Sequence, residues 1–112
     1  MATPQLIDFS LSEEKVIKKG LKDLKKAGYG IGVFKELIRA ELPSKYRAMT
    51  LEDGAAIGEK AFTSQAMLNH VLEEELLHLE QKASGKAKVF GPGTAKALEN
   101  EVDEKRKFPF PG

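Results

Sequence analysis

The chain contains no cysteine. That excludes disulfides, thiolate nucleophiles and cysteine-ligated zinc. It fits a protein that works in a reducing compartment, or one that must cross an envelope without becoming cross-linked. No apolar run approaches the roughly 18 residues needed to span a bilayer, and the N-terminus lacks a signal-peptide pattern, so no membrane association is expected. Net charge is nearly absent too: 18 Lys and Arg oppose 17 Asp and Glu, a formal +1. The balance hides an asymmetry. Residues 1–50 carry ten basic against six acidic residues, and residues 51–112 carry eight against eleven. The basic excess concentrates in Lys15, Lys18, Lys19, Lys22, Lys25 and Lys26. A lysine-rich helix reads first as a solvated face. Its alternative is a phosphate-contacting surface, which would favour a nucleic-acid substrate.

What is present suits one globular domain. With 41% hydrophobic and 31% charged residues, 112 residues can bury one modest core. The pattern predicts a mostly helical α+β fold of about four helices, with a small β-hairpin before the site helix. The single domain, 1–112, divides into a lead-in over 1–9, a helical pair over 10–44, a hairpin over 45–62, a site helix over 63–85, and a loop with a C-terminal helix over 86–112. Ser10 with Glu13 forms a capping-box pattern, and Gly28 is a natural stop for the first helix. Val33, Phe34, Leu37 and Ile38 suggest a second helix over Ile31 to Glu41, ending before Pro43. Tyr46 to Leu51, a turn at Glu52-Asp53-Gly54 and a return over Ala55 to Phe62 predict the hairpin. Thr63 or Ser64 caps the third helix, a short strand is expected over Lys86 to Phe90, Gly91-Pro92-Gly93 is a loop, and Thr94 caps a fourth helix with Ala95, Leu98 and Val102 facing inward.

The third helix carries the chemistry. At about 100° per residue, Leu68, Val71, Leu72 and Leu79 share one face, and Glu75 falls among them with His78 one turn on. A buried carboxylate is expensive unless it is paired or ligates something. His70, Glu74 and His78 form a second stripe at i, i+4 and i+8, and Gln81 follows on the same flank. On the fourth helix, Glu99 and Glu101 lie at the two edges of the buried stripe. Bland roles compete with these: Glu75 could form a structural ion pair, His78 could cap a carbonyl, and His70, Glu73 and Glu80 read as ordinary surface residues of a helix. Lys105-Arg106-Lys107 complements the helix dipole, although Arg106 points partly inward and could steady an anion.

Three chemistries fit. A zinc-peptidase HExxH motif would need histidine where Glu74 stands, but Glu74, His78 and Glu99 could together hold a divalent ion, with Glu75 as base. A metal-independent ribonuclease needs a base, an acid and a cation, which Glu75, His78 and a Lys or Arg would supply. A carboxylate-bridged di-iron site would require a dimer, since only one Glu-x-x-His is present.

The stretch AAIGEKAFTSQAMLNHVLEEELLHLEQKASG, followed by ALENEVDEKRKF, resembles C-terminal effector domains of bacterial polymorphic toxins of the contact-dependent inhibition and Rhs types. The shared pattern is a helix reading approximately E-E-x-x-H-x-x-Q, a glycine, and a glutamate-rich helix. It falls on Glu74, Glu75, His78, Gln81, Gly85, Glu99 and Glu101, and spans Ala55 to Lys107. The same stretch resembles degenerate zincin-like domains, in which an edge strand leads into the active-site helix. The toxin resemblance implies secretion as the tail of a larger protein, action in the cytoplasm of a target bacterium, and a cognate immunity protein as partner. It also implies nuclease activity, often against tRNA. The leading expectation is therefore a ribonuclease toxin without a cofactor, acting on RNA. Glu75 and His78 would be its acid–base pair, Gln81 the orienting residue, and Glu99 or Arg106 would complete the pocket. The alternatives are a zincin-like hydrolase (peptidase) that binds a divalent metal such as zinc through Glu74, His78 and Glu99, and a non-catalytic interaction domain.

Overall fold

Ser10 starts the first helix as its spacing to Glu13 predicts. Its hydroxyl accepts the Glu13 amide at 3.1 Å while the Glu13 carboxylate accepts the Ser10 amide at 2.9 Å. In the computed structural model, which describes residues 4–84 and 92–111, helix α1 then runs Leu11–Lys26 and buries Ile17, Gly20, Leu21 and Leu24. Gly28 follows the C-cap with φ 99°, the left-handed conformation that ends a helix at little cost to glycine.

Four short strands make a mixed sheet: β1 (Gln5–Ile7), β2 (Glu36–Arg39), β3 (Ala48–Thr50) and β4 (Gly54–Ile57), in the order β1-β2-β4-β3. β2 is parallel to both β1 and β4, while β3 and β4 form the antiparallel hairpin. Gly54 is required there, because a Cβ would collide with the Glu36 carbonyl of the neighbouring strand. The register places Leu6, Leu37, Ala55 and Thr50 in one row across all four strands. Leu37 and Ala55 are fully buried, so this row faces the helices, and Thr50 is its last member.

Helix α2 (Gln65–Ala83) opens on Ser64, whose hydroxyl accepts the Met67 amide at 3.0 Å. It is buried almost all round, between α1, the sheet and helix α3 (Pro92–Lys105). Leu68, Leu72 and Leu76 are inaccessible to solvent, each contributing roughly 1.5–3 kcal/mol by burial. The fold is thus α+β, with three helices and one four-stranded sheet among the described residues. Among them, no helix is long and apolar enough to cross a membrane.

Several expectations are corrected. The return strand of the hairpin ends at Ile57, and Glu59–Phe62 form a 3₁₀ turn. Residues 31–41 hold no second helix: a 3₁₀ turn at Ile31–Val33 leads into β2. Gly30 and Gly32 weaken helix nucleation, and β1 and β4 saturate the β2 backbone from both sides. The lead-in is likewise partly a strand, since β1 pairs with β2. The strand expected over Lys86 to Phe90, the loop residue Gly91, and the inward packing of Ala95 and Leu98 lie outside the described residues. α3 starts at Pro92, before the Thr94 cap expected from the sequence.

Glu73 is wholly buried and fastens the C-terminal segment to α2. Its carboxylate accepts the Tyr29 hydroxyl at 2.7 Å and the amides of Lys107 and Phe108 at 2.6 and 3.0 Å, with Arg106 Nη1 at 3.8 Å. Burial and this bond raise the Tyr29 pKa, which keeps the hydroxyl a donor. Glu73→Ala would take this acceptor from the Tyr29 hydroxyl and two backbone amides and leave Arg106 with Glu74 and Asp103 alone. It is expected to cost about 3–5 kcal/mol in urea unfolding, against about 1 kcal/mol for Tyr29→Phe.

Candidate functional site

Two residues after Glu73, α2 presents a second buried carboxylate with far fewer partners. Glu75 is 5% exposed and lies against the sheet edge. Thr50 Oγ1, at the end of the helix-facing row, sits 3.0 and 3.1 Å from its two oxygens. One hydroxyl proton therefore serves both oxygens, against four donor groups around Glu73. Burial pushes the Glu75 carboxyl up to about 7, with Glu74 and Glu99 adding to the rise and Thr50 and His78 opposing it.

His78 extends from the next turn toward α3. Its Nδ1 is 3.2 Å from Gln81 Oε1, and its Nε2 is 3.4 Å from Glu99 Oε2. Gln81 Oε1 can only accept, so Nδ1 donates to it, and Nε2 faces Glu99 as a lone pair when His78 is neutral and as an N–H donor when it is protonated. Glu74, Glu99 and His78 converge there, with ligand atoms all within 4.8 Å of one another. The Glu99 carboxyl is raised, first by partial burial and then by Glu74 and Asp103, with His78 opposing. Two carboxylates and an imidazole lone pair aimed at one point repel unless a proton or a cation lies between them.

These donors fit a divalent cation. Ligand bonds of about 2.0–2.2 Å would bring the donor atoms to roughly 3.4 Å apart. Only a small closure from the observed spread is needed, and Glu99, about half exposed, is free to supply it. The surrounding contacts are those that orient ligands: Gln81 on His78 and Arg106 Nη2 on Glu74 at 3.1 Å.

The structure brings together Glu74, Glu75, His78, Gln81 and Glu99. It places Arg106 behind Glu74, only 13% exposed and also ion-paired with Glu73 and Asp103. His70 belongs to a separate cluster. Its Nδ1 is 3.0 Å from the Phe108 carbonyl and 2.9 Å from Arg106 Nη1, and it can serve only one of them at a time. Glu80 and Glu101 line a cleft of about 300 Å³ between α2 and α3 that Gln81 also lines. Gly85 lies outside the described residues.

Two residues escaped the sequence reading. Thr50 was visible only as part of a strand, since nothing local couples it to a residue 25 positions on. Glu73 looked like an ordinary helix glutamate, because its partners come from residues 29 and 106–108. No family model, no curated protein and no solved structure was found to match the chain.

The raised Glu75 pKa fixes a pH dependence. The folded state binds the Glu75 proton more tightly than the unfolded chain does. Stability from this source is therefore complete below about pH 4.5 and lost as pH rises through about 7. Glu75→Gln is expected to remove that fall and to stabilise the protein at pH 8 by roughly 2–3 kcal/mol relative to wild type. Thr50→Val, which removes the opposing hydrogen bond, should raise the Glu75 midpoint further in a carboxyl NMR titration. A midpoint in either protein near the ordinary glutamate value would contradict this account.

Proposed function

We propose that the chain is a divalent-metal-dependent hydrolase of peptide bonds, an effector of the toxin class its sequence resembles. The observation that carries the proposal is the convergence of Glu74, His78 and Glu99 on one point beside a buried glutamate that titrates near neutrality. A divalent ion held by those three residues would supply Lewis-acid polarisation of the scissile carbonyl. Gln81 fixes the His78 tautomer, and Arg106 holds Glu74 from the side facing the C-terminal segment. Glu75 takes the proton of the attacking water and returns it to the departing amine, a role for which a pKa near the working pH is best suited.

The sheet supports a peptide as substrate. β3 is an edge strand, and its Thr50 touches Glu75, so an extended chain pairing along β3 would pass beside the carboxylate. A metal-free ribonuclease built on Glu75 and His78 is less well supported. It needs a cation for the phosphate, and Arg106 is engaged by Glu73, Glu74 and Asp103. A rim of carboxylates also repels a polyanion. Delivery into a target bacterium and neutralisation by an immunity protein accompany the resemblance and are part of the proposal.

Purified protein incubated with denatured casein should cleave it, lose activity to a chelator, and regain it with zinc or manganese. Glu75→Gln should lower the rate at least about 100-fold while keeping the metal content. Glu99→Gln and His78→Ala should lose metal and activity together. Fragmentation of total RNA that survives chelation, with casein intact, would reinstate the ribonuclease.

A further inference from the structure

At the opposite end of the sheet from β3, α1 and β1 enclose a groove of about 370 Å³. Leu6, Leu21 and Ile31 contribute apolar surface to it, and Lys18, Lys22 and Lys25 line it from α1. No acidic residue among the described residues lines the groove. Of the three acids of α1, Glu14 lies one turn before Lys18, and the other two are engaged elsewhere. Asp23 accepts from Asn69 at 2.9 Å and pairs with Lys19, and Glu13 serves the capping box and Arg39.

A second observation points to the form of the ligand. β1 is the outermost strand, and the Gln5 amide donates inward to Lys35. Alternation along a strand then turns the amide and carbonyl of Leu6 outward, beside the groove. Lys18 and Lys22 are one turn apart, about 6 Å along the helix axis. Alternate side chains of an extended strand repeat at about 6.6–6.8 Å, nearly the same spacing.

We infer that this groove docks an extended acidic segment of another protein, which adds to β1 as a fifth strand. Its carboxylates at alternate positions meet the α1 lysines, its backbone pairs with Leu6, and apolar side chains fill the floor. Nucleic acid and anionic lipid match the lysines but offer neither the paired amide and carbonyl for the strand edge nor, for nucleic acid, an apolar group for the floor. The surface is separate from the Glu74–His78–Glu99 cluster and does not depend on the hydrolase proposal. Occupancy there leaves the β3 edge open.

The test is a titration of the ¹⁵N-labelled full chain with a ten-residue peptide alternating Glu and Val, and with its Lys-for-Glu counterpart. The acidic peptide should shift the amides of Leu6, Lys18, Lys22 and Ile31 and weaken with salt. Lys18→Glu with Lys22→Glu should weaken binding at least ten-fold, while Glu75→Gln leaves it unchanged. Equal binding of both peptides, shifts centred on other residues, or no shift at millimolar peptide would overturn the inference. Tighter binding at these amides by a poly-uridine oligonucleotide or a phosphatidylglycerol vesicle would overturn it as well.

Discussion

A helix buried almost all round must find a partner for every carboxylate it turns inward, because an ionised group without one costs several kcal/mol in a protein interior. Helix α2 carries two such groups two residues apart, and the rest of the molecule answers them differently. Glu73 receives a hydroxyl, two backbone amides and a guanidinium. Glu75 receives one hydroxyl. The first is saturated and structural. The second is undersupplied, so its proton is held to near neutrality, which suits the general-base role proposed for it.

The saturated carboxylate makes the other one useful. By gripping the backbone just after α3, Glu73 anchors the end of the helix that carries Glu99. Val102, fully buried, seats the same helix in the core. Arg106 ties this anchor to the cluster, since one guanidinium contacts Glu73 and Glu74 together. Tyr29 adds the link to the far side, its one hydroxyl proton directed at Glu73 with the Lys105 carbonyl as a second acceptor 3.1 Å away. The position of Glu99 opposite His78 thus rests on hydrogen bonds made by Glu73, five residues before His78 on α2.

Much of this was legible in the sequence where the signal is local. Capping residues Ser10 and Ser64 act over three residues, and the i, i+3 and i, i+4 relations among Glu74, Glu75, His78 and Gln81 follow from helix geometry alone. The pairing of His78 with Glu99 was open to reasoning because both flank apolar stripes that had to pack together. Strand β2 was misread because four residues cannot distinguish a period of two from one of 3.6, and its parallel partners lie 31 and 18 residues away. Thr50, Tyr29 and the burial of Glu73 were illegible for the same reason: each depends on a contact that only the folded chain creates.

The central claim is that Glu74, His78 and Glu99 hold one divalent ion beside a base that is not itself a ligand. Anomalous diffraction from crystals grown with zinc or manganese tests this most directly. The account predicts a single strong peak within about 2.2 Å of His78 Nε2 and of one oxygen from each of Glu74 and Glu99, with the Glu75 carboxylate near but uncoordinated. A peak bound elsewhere, or none at these residues at millimolar metal, would contradict it.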